Sequence, residues 1–388
     1  MMSKGFKRIA ALALLTGILA GCAGEEEAVQ MAPLPLVDSR FEPTLQWSAS
    51  VGEGVGNYFS ELSPAFDEGK LVAADRDGLV KALDAESGKV LWSVNLGDSE
   101  PALLSGGILI ADGAVYIGTE RGVLVALDEE TGEQKWQANI GGELLSHPAY
   151  DIDSGLVIVN SSNGSLTAVG EESGQVRWTI PSEVPTLTLR GNSAPVVARG
   201  GVMWGQANGR IAAAQSAQGQ VAWQRSIAVP KGATEIDRLV DVDASPVIAG
   251  DRLFAIGYNG QLVSLDILNG QLSWRRNYSS ATNFTVVGNR IFLITAKDHI
   301  VAVDARSGNE LWKNASLEYR LLTAPTVIDN YIVVGDSEGY LHWLDPFSGD
   351  FVAQQKLDDS GIAVAPIALD DGYLTMTRNG KLKKFQTP

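Results

Sequence analysis

Cysteine is almost absent from this chain: 388 residues contain one, Cys22, so no intrachain disulfide can form. Histidine is nearly as scarce. His147, His299 and His342 fall in separate stretches without metal-ligand spacing, and are read as solvated or core side chains. The acidic pairs Asp75-Arg-Asp77, Asp151-Ile-Asp153 and Asp241-Val-Asp243 never continue into a calcium loop with a terminal bidentate Glu. There is no G-x-S-x-G, P-loop or dinucleotide fingerprint. The expectation is therefore a protein without enzymatic activity, bound metal or cofactor. Positive charge is short too, 30 Lys and Arg against 46 Asp and Glu for a net −16, which argues against nucleic acid as a partner. The acidity itself reads as solubility. After residue 22 no apolar run is long enough to span a bilayer.

What is present is a repeat. The pattern G-x-L-x-A-L-D-x-x-[ST]-G-x-x-x-W runs Gly78–Trp92 and Gly122–Trp136. It recurs, with single departures, at Gly164–Trp178 (Gly170 for Asp), Gly209–Trp223 (Gln215 for Asp) and Gly260–Trp274 (Asn269 for Ser/Thr). The sixth copy opens on Asp298 and ends at Trp312, and the seventh, from Gly339, closes on Ala353 where Trp belongs. Closing positions lie 44, 42, 45, 51, 38 and 41 residues apart, a period that signals a repeat architecture.

Each copy reads as a β-hairpin. Leu124-Val-Ala-Leu127 is apolar at adjacent positions, as in a short strand buried on both faces. The D-x-x-[ST]-G that follows is turn chemistry, with Asp binding backbone N–H groups and Gly taking positive φ. A further pair of apolar runs precedes each copy, giving about four strands per repeat, the content of one propeller blade. The Trp ring suits the gap between adjoining sheets, where its burial contributes a few kcal/mol, about 25 cal/mol per Å². Strands that open the motif number eight, the last from Gly380, but no strand returns after it. Leu45-Gln-Trp-Ser-Ala49 supplies the missing one, with Trp47 45 residues before Trp92. The expected fold is all-β: an eight-bladed propeller of four-stranded antiparallel blades over residues 45–388, its last blade closed by the N-terminal strand. Closure removes exposed edges.

Residues 1–21 read as an export signal, with Lys4, Lys7 and Arg8 before an apolar run from Ile9 to Ala20. Leu19-Ala-Gly-Cys22 is a bacterial lipobox pattern, and the lone cysteine at this position marks Cys22 for lipidation. Two or three acyl chains would hold the protein stably to a membrane. Ala23, rather than Asp, favours the outer membrane. Residues 22–44, rich in Glu and Pro, are expected to be the lipidated N-terminus and a flexible tether spanning about 25 Å.

The interval from each Trp position to the next strand opening is longest from Trp223 to Gly260, and long again from Trp178 to Gly209. Loops longer than a repeat requires are where function tends to sit. Here they contain Pro185-Thr-Leu-Thr-Leu-Arg-Gly191 and Gly232-Ala-Thr-Glu-Ile-Asp-Arg-Leu-Val-Asp-Val-Asp243, and as loops of neighbouring blades they emerge side by side. Leu187, Leu189, Arg190, Asp241 and Asp243 are read as a protein-docking patch, the alternative being core leucines and internally paired charges.

The repeat resembles that of the pyrroloquinoline-quinone-dependent dehydrogenases, which are eight-bladed propellers. The likeness stops at their site, because those enzymes carry an adjacent cysteine pair and calcium-ligating residues. A closer resemblance covers essentially the whole mature chain. The lipobox, the eight repeats, Leu187-Thr-Leu-Arg-Gly-Asn-Ser-Ala-Pro195, Thr234-Glu-Ile-Asp-Arg-Leu-Val-Asp-Val-Asp243 and Val334-Gly-Asp-Ser-Glu-Gly-Tyr-Leu-His-Trp343 look like the BamB family of propeller lipoproteins in the outer-membrane β-barrel assembly (BAM) machinery. That resemblance implies a lipid-anchored scaffold on the periplasmic face of the outer membrane. It implies binding to a POTRA domain of the barrel-inserting subunit, BamA, through Leu187, Leu189, Arg190, Asp241 and Asp243, and so to the rest of the BAM complex. Handling of unfolded outer-membrane proteins is a family proposal, reasonable because a strand edge accepts an extended peptide. The competing readings are a quinone-dependent periplasmic dehydrogenase and a scaffold for another envelope assembly system.

Overall fold

The fifteen-residue motif acquires its meaning at the contacts between sheets. The computed structural model describes residues 29–97 and 99–387. The export signal and Cys22 lie outside the described residues. Ala32–Pro388 forms one compact unit containing eight four-stranded antiparallel sheets, the expected propeller. In blade 1 the strands are Ala65–Asp67, Lys70–Ala74, Leu79–Asp84 and Val90–Asn95, hydrogen-bonded in chain order. Blades 2 to 7 repeat this over 104–139, 149–181, 196–226, 247–276, 285–314 and 326–356. The second and third strands are buried almost throughout, because both their faces meet another sheet, whereas the fourth alternates exposed and buried.

Two features of the motif act together at each junction. The indole N–H of Trp92 donates to the Glu129 carbonyl of the next blade at 2.8 Å, and Trp136 and Trp178 donate likewise to Glu171 and Ser216. The ring lies flat on the turn glycine of that same blade. A Cβ on Gly132 (φ 74°) would sit 2.6 Å from the Trp92 ring, and one on Gly174 (φ 66°) 2.6 Å from Trp136. Glycine is therefore required there twice, for its backbone and for its missing side chain. The motif Asp fixes the turn that receives the ring: Asp128 Oδ1 accepts from the backbone N–H groups of Glu130 and Thr131 at 3.1 and 2.9 Å. A β-bulge between third and fourth strands, as between Ala126 and Leu127, recurs beside the Trp position and aims it across the junction.

Blade 8 takes three strands from residues 367–386 and its fourth from Thr44–Ser50, with Leu45 opposite Phe385 and Ser50 opposite Lys381. Trp47 then does what the other tryptophans do. It donates to the Ala85 carbonyl of blade 1 at 3.0 Å and covers Gly88. The ring is closed by residues some 340 apart in sequence.

The stretch before that strand departs from the expected flexible tether. Ala32 N–H donates to the Glu318 carbonyl, Arg40 N–H to the Val352 carbonyl, each at 2.9 Å, and the Ser39 hydroxyl accepts from Gln354 N–H at 3.0 Å. Residues 32–43 thus form a strap along the outer edge of blade 7. The physical reason lies at its end. Blade 7 carries Ala353 in place of Trp, and Phe41 packs edge-on against Trp343 at 5.4 Å and against Tyr331 at 5.3 Å. Trp343 in turn meets Tyr373 of blade 8, which stacks on Phe385. This aromatic cluster fills the junction that lacks its tryptophan.

Candidate protein-docking site

Loops joining the fourth strand of one blade to the first of the next leave the propeller on one face. On that face the two long connections are tied to each other. Asp241 bridges to Tyr258, whose N–H donates to the Asp241 carbonyl at 2.7 Å, and this turns the carboxylate inward. Its Oδ2 accepts the Leu189 N–H at 2.8 Å. Gly191 rests on Asp243, where a Cβ would come within 2.7 Å of the carboxylate. The structure therefore brings Leu189, Arg190, Asp241 and Asp243 together, as the loop lengths implied.

Their exposures divide them into two roles. Leu187 is exposed, Leu189 half-buried and Arg190 exposed, whereas Asp241 is only 1% exposed and Asp243 half-buried. Asp241 is not a surface contact, contrary to the expected patch, but the residue that holds the 187–191 loop in place. Losing a buried hydrogen-bonded acceptor of this kind costs about 1–3 kcal/mol. Its Oδ1 finds no donor among the described residues. Burial, then the Asp243 charge, pushes the Asp241 carboxyl up to about 8, and burial pushes Asp243 to about 7. Glu61, preceding blade 1, is pushed to about 8 by burial and by Asp243.

Arg190 is engaged as well as exposed. Its Nη1 donates to the Phe59 carbonyl at 2.7 Å, and Nη2 lies 3.2 Å from both Glu120 and Glu143. Glu120 also takes a two-pronged pair from Arg76, at 3.1 and 2.7 Å, and Arg76 lies over the Tyr58 ring. Burial would raise the Glu120 carboxyl, but hydrogen bonds from Arg76 and Arg190 hold it below its usual value. The guanidinium is thus pre-positioned by blades 1, 2 and 3, which lowers the ordering cost of a second, incoming acceptor. Phe59 also lines a cavity of about 390 Å³, walled further by Glu61, His147, Leu322, Val364 and Arg378. Arg76, Glu120 and Glu143 escaped the sequence reading because each sits in a loop of ordinary length, whereas Glu61 lies in the 51–64 connection, as long as 182–195, and has no local pattern to mark it.

His342 has a structural place: it is fully buried, its Nε2 against Asp336 at 3.0 Å and its Nδ1 facing the Gln354 amide at 3.2 Å. Asp336 pairs with the buried Arg320 at 2.8 Å, and Arg320 Nη1 donates to the Ala32 carbonyl of the strap.

Comparison with known proteins agrees with this architecture. A family model described as outer membrane protein assembly factor BamB matches residues 43–103, 76–314 and 296–385. The outer membrane protein assembly factor BamB of Vibrio cholerae is 56% identical, with 99% of each chain covered. That of Escherichia coli K12 is 46% identical over 94% of each. Among solved structures, BamB from Moraxella catarrhalis superposes with a TM-score of 0.80 at 26% identity, over 89% of this chain and all of that one. The quinohemoprotein alcohol dehydrogenase of Comamonas testosteroni, 14% identical with a TM-score of 0.72 over 89% of this chain and 76% of its own, shares the fold alone. The chain belongs to the family of the outer membrane protein assembly factor BamB.

Proposed function

We propose that this protein is a non-catalytic adaptor in the assembly of outer-membrane β-barrel proteins. Acylated Cys22 anchors it to the periplasmic face of the outer membrane, and the 185–191 and 232–243 loops dock on a POTRA domain of BamA. The observation that carries this reading is the hydrogen bond from Leu189 N–H to Asp241, which makes the two loops one surface. On that surface Leu187 offers apolar area and Arg190 a positioned guanidinium, the combination that anchors protein interfaces. Asp241 and Asp243 contribute from beneath, by fixing the loop. The relatives' name, outer membrane protein assembly factor, supports the same assignment.

Leu187→Asp and Arg190→Ala leave the Asp241 bond intact and should each reduce co-purification with BamA at least tenfold, with an unchanged circular dichroism spectrum. Wild-type yield from both variants would reject the docking assignment. Mass spectrometry of the N-terminal peptide tests the anchor separately, the expected result being an acylated Cys22.

A further inference from the structure

The opposite face of the propeller, which carries the turns between third and fourth strands, is divided by charge. Residues 65–181, blades 1 to 3, hold 19 carboxylates against 7 Lys and Arg, whereas residues 196–314, blades 4 to 6, hold 9 against 12. The turn apices follow the same division. In the first three blades they are Ala85-Glu86, Glu129-Glu130 and Glu171-Glu172, and in blades 5 to 7 Ile267-Leu268, Ala305-Arg306 and Pro346-Phe347. Leu268 and Phe347 are each 71% exposed.

The cations of this arc are held by neutral groups. Arg199 donates to the Gly250 carbonyl at 2.8 Å, and Arg225 to the Gly270 and Asn269 carbonyls at 2.8 and 2.9 Å. Arg276 donates to the Ser307 carbonyl, and Arg290 lies 4.1 Å over the exposed Phe347 ring. Each reaches from one blade to the next, so the arc is continuous from blade 4 to blade 7. Among the described residues, none of these four, nor Arg275 or Arg306, has a carboxylate within 4.0 Å. Of the nearby carboxylates, those in the third-to-fourth-strand turns are occupied, Asp266 by the Leu268 and Asn269 N–H groups and Asp304 by Ser307, whereas Asp251, next to the Gly250 that holds Arg199, is exposed.

We propose that this arc is a docking surface for anionic lipid headgroups, with guanidinium groups on the phosphates and Leu268 and Phe347 entering the interfacial layer. Arginines freed of carboxylates suit phosphate, and apolar side chains at the tips of a basic surface suit a membrane boundary more than a protein face. The strap begins on the docking-loop face, with Ala32 held by Glu318 and Arg320 of the connection from blade 6 to blade 7, so the ten residues from Cys22, about 35 Å at most, run back along blade 7 when the arc meets the bilayer. This last step rests on the lipid-anchor reading above. The arc and the BamA-docking loops lie at opposite ends of the strands, so both can be occupied at once.

The test uses the chain from Ala23 onward, which retains the whole compact unit and carries no acyl group. Co-sedimentation should occur with vesicles containing phosphatidylglycerol, fail with pure phosphatidylcholine, and weaken steeply with salt. Arg275 and Arg306 are exposed and hold no neighbouring turn, so Arg275→Glu with Arg306→Glu should weaken binding at least tenfold, and Phe347→Ser severalfold. Lys135→Glu in the acidic half should change nothing. Absence of binding to anionic vesicles, equal binding to both lipids, or binding indifferent to the reversed charges would overturn the proposal. So would binding to soluble polyglutamate with none to vesicles. None of these outcomes bears on acylation of Cys22, which the N-terminal peptide mass decides.

Discussion

Two junctions of the ring solve one problem by different means. Between blades 8 and 1, where the outer strand of blade 8 runs on into blade 1 through residues 51–64 but is held to its own blade by strand pairing alone, the chain uses the standard device: Trp47 on Gly88, with its N–H on the Ala85 carbonyl. Between blades 7 and 8, where the backbone is continuous, the device is missing, and Ala353 leaves a space filled by Phe41 from the strap. The complete lock is carried by the one strand that its own blade holds through pairing alone, and the improvised packing lies where three consecutive strands of blade 8 follow blade 7 directly.

The contrast breaks if the Trp47 junction is no more sensitive than an internal one. Trp47→Ala is expected to cost about 3 kcal/mol or more and to lose the single cooperative transition, whereas Trp178→Ala, also half-buried, should cost less and keep it. Chemical denaturation of the two variants decides this, and equal losses would remove the distinction. Phe41→Ala comes next, at about 2 kcal/mol, with the 32–43 strap exchanging its amides faster while residues 44–50 stay protected.

The smallest effect is a pH dependence local to blade 7, on the side that faces blade 6. Burial holds the His342 imidazole below its ordinary pKa, although Asp336 pulls the other way. As pH falls through about 6.5 the unfolded chain takes up a proton that the folded chain does not, so stability is lost. Asp336 is depressed overall. Burial would raise it, but bonds from His342 and the Tyr340 N–H prevail. It therefore costs further stability below about pH 4, where only the unfolded carboxyl is protonated. Amide exchange in 340–344 should accelerate from pH 7 to 5.5, and His342→Gln should flatten that response. An unchanged slope would show that this side of blade 7 is no more acid-sensitive than the closing junction.

The ring was legible because every position in the motif performs one repeated physical task, so the count and the closure could be read from Trp47 and Gly380 alone. The strap was not. Pro33, Pro35 and Glu42 have the composition of a solvated linker, and Phe41 substitutes for a tryptophan from outside the repeat register. Loop length located the 185–191 and 232–243 connections, yet alternation in Asp241-Val-Asp243 suggested two outward carboxylates. A bridge to Tyr258, invisible in sequence, turns Asp241 inward. The Arg320, Asp336 and His342 network has no local pattern, since its members come from a loop, a turn and a strand.

Because Thr44–Ser50 pairs with Lys381–Gln386, the first strand made waits for the last. A ribosome releases these segments in the wrong order for closure, so until the last strand is made the nascent polypeptide carries an unmated edge. A truncation of even the final eight residues would leave that edge permanently open.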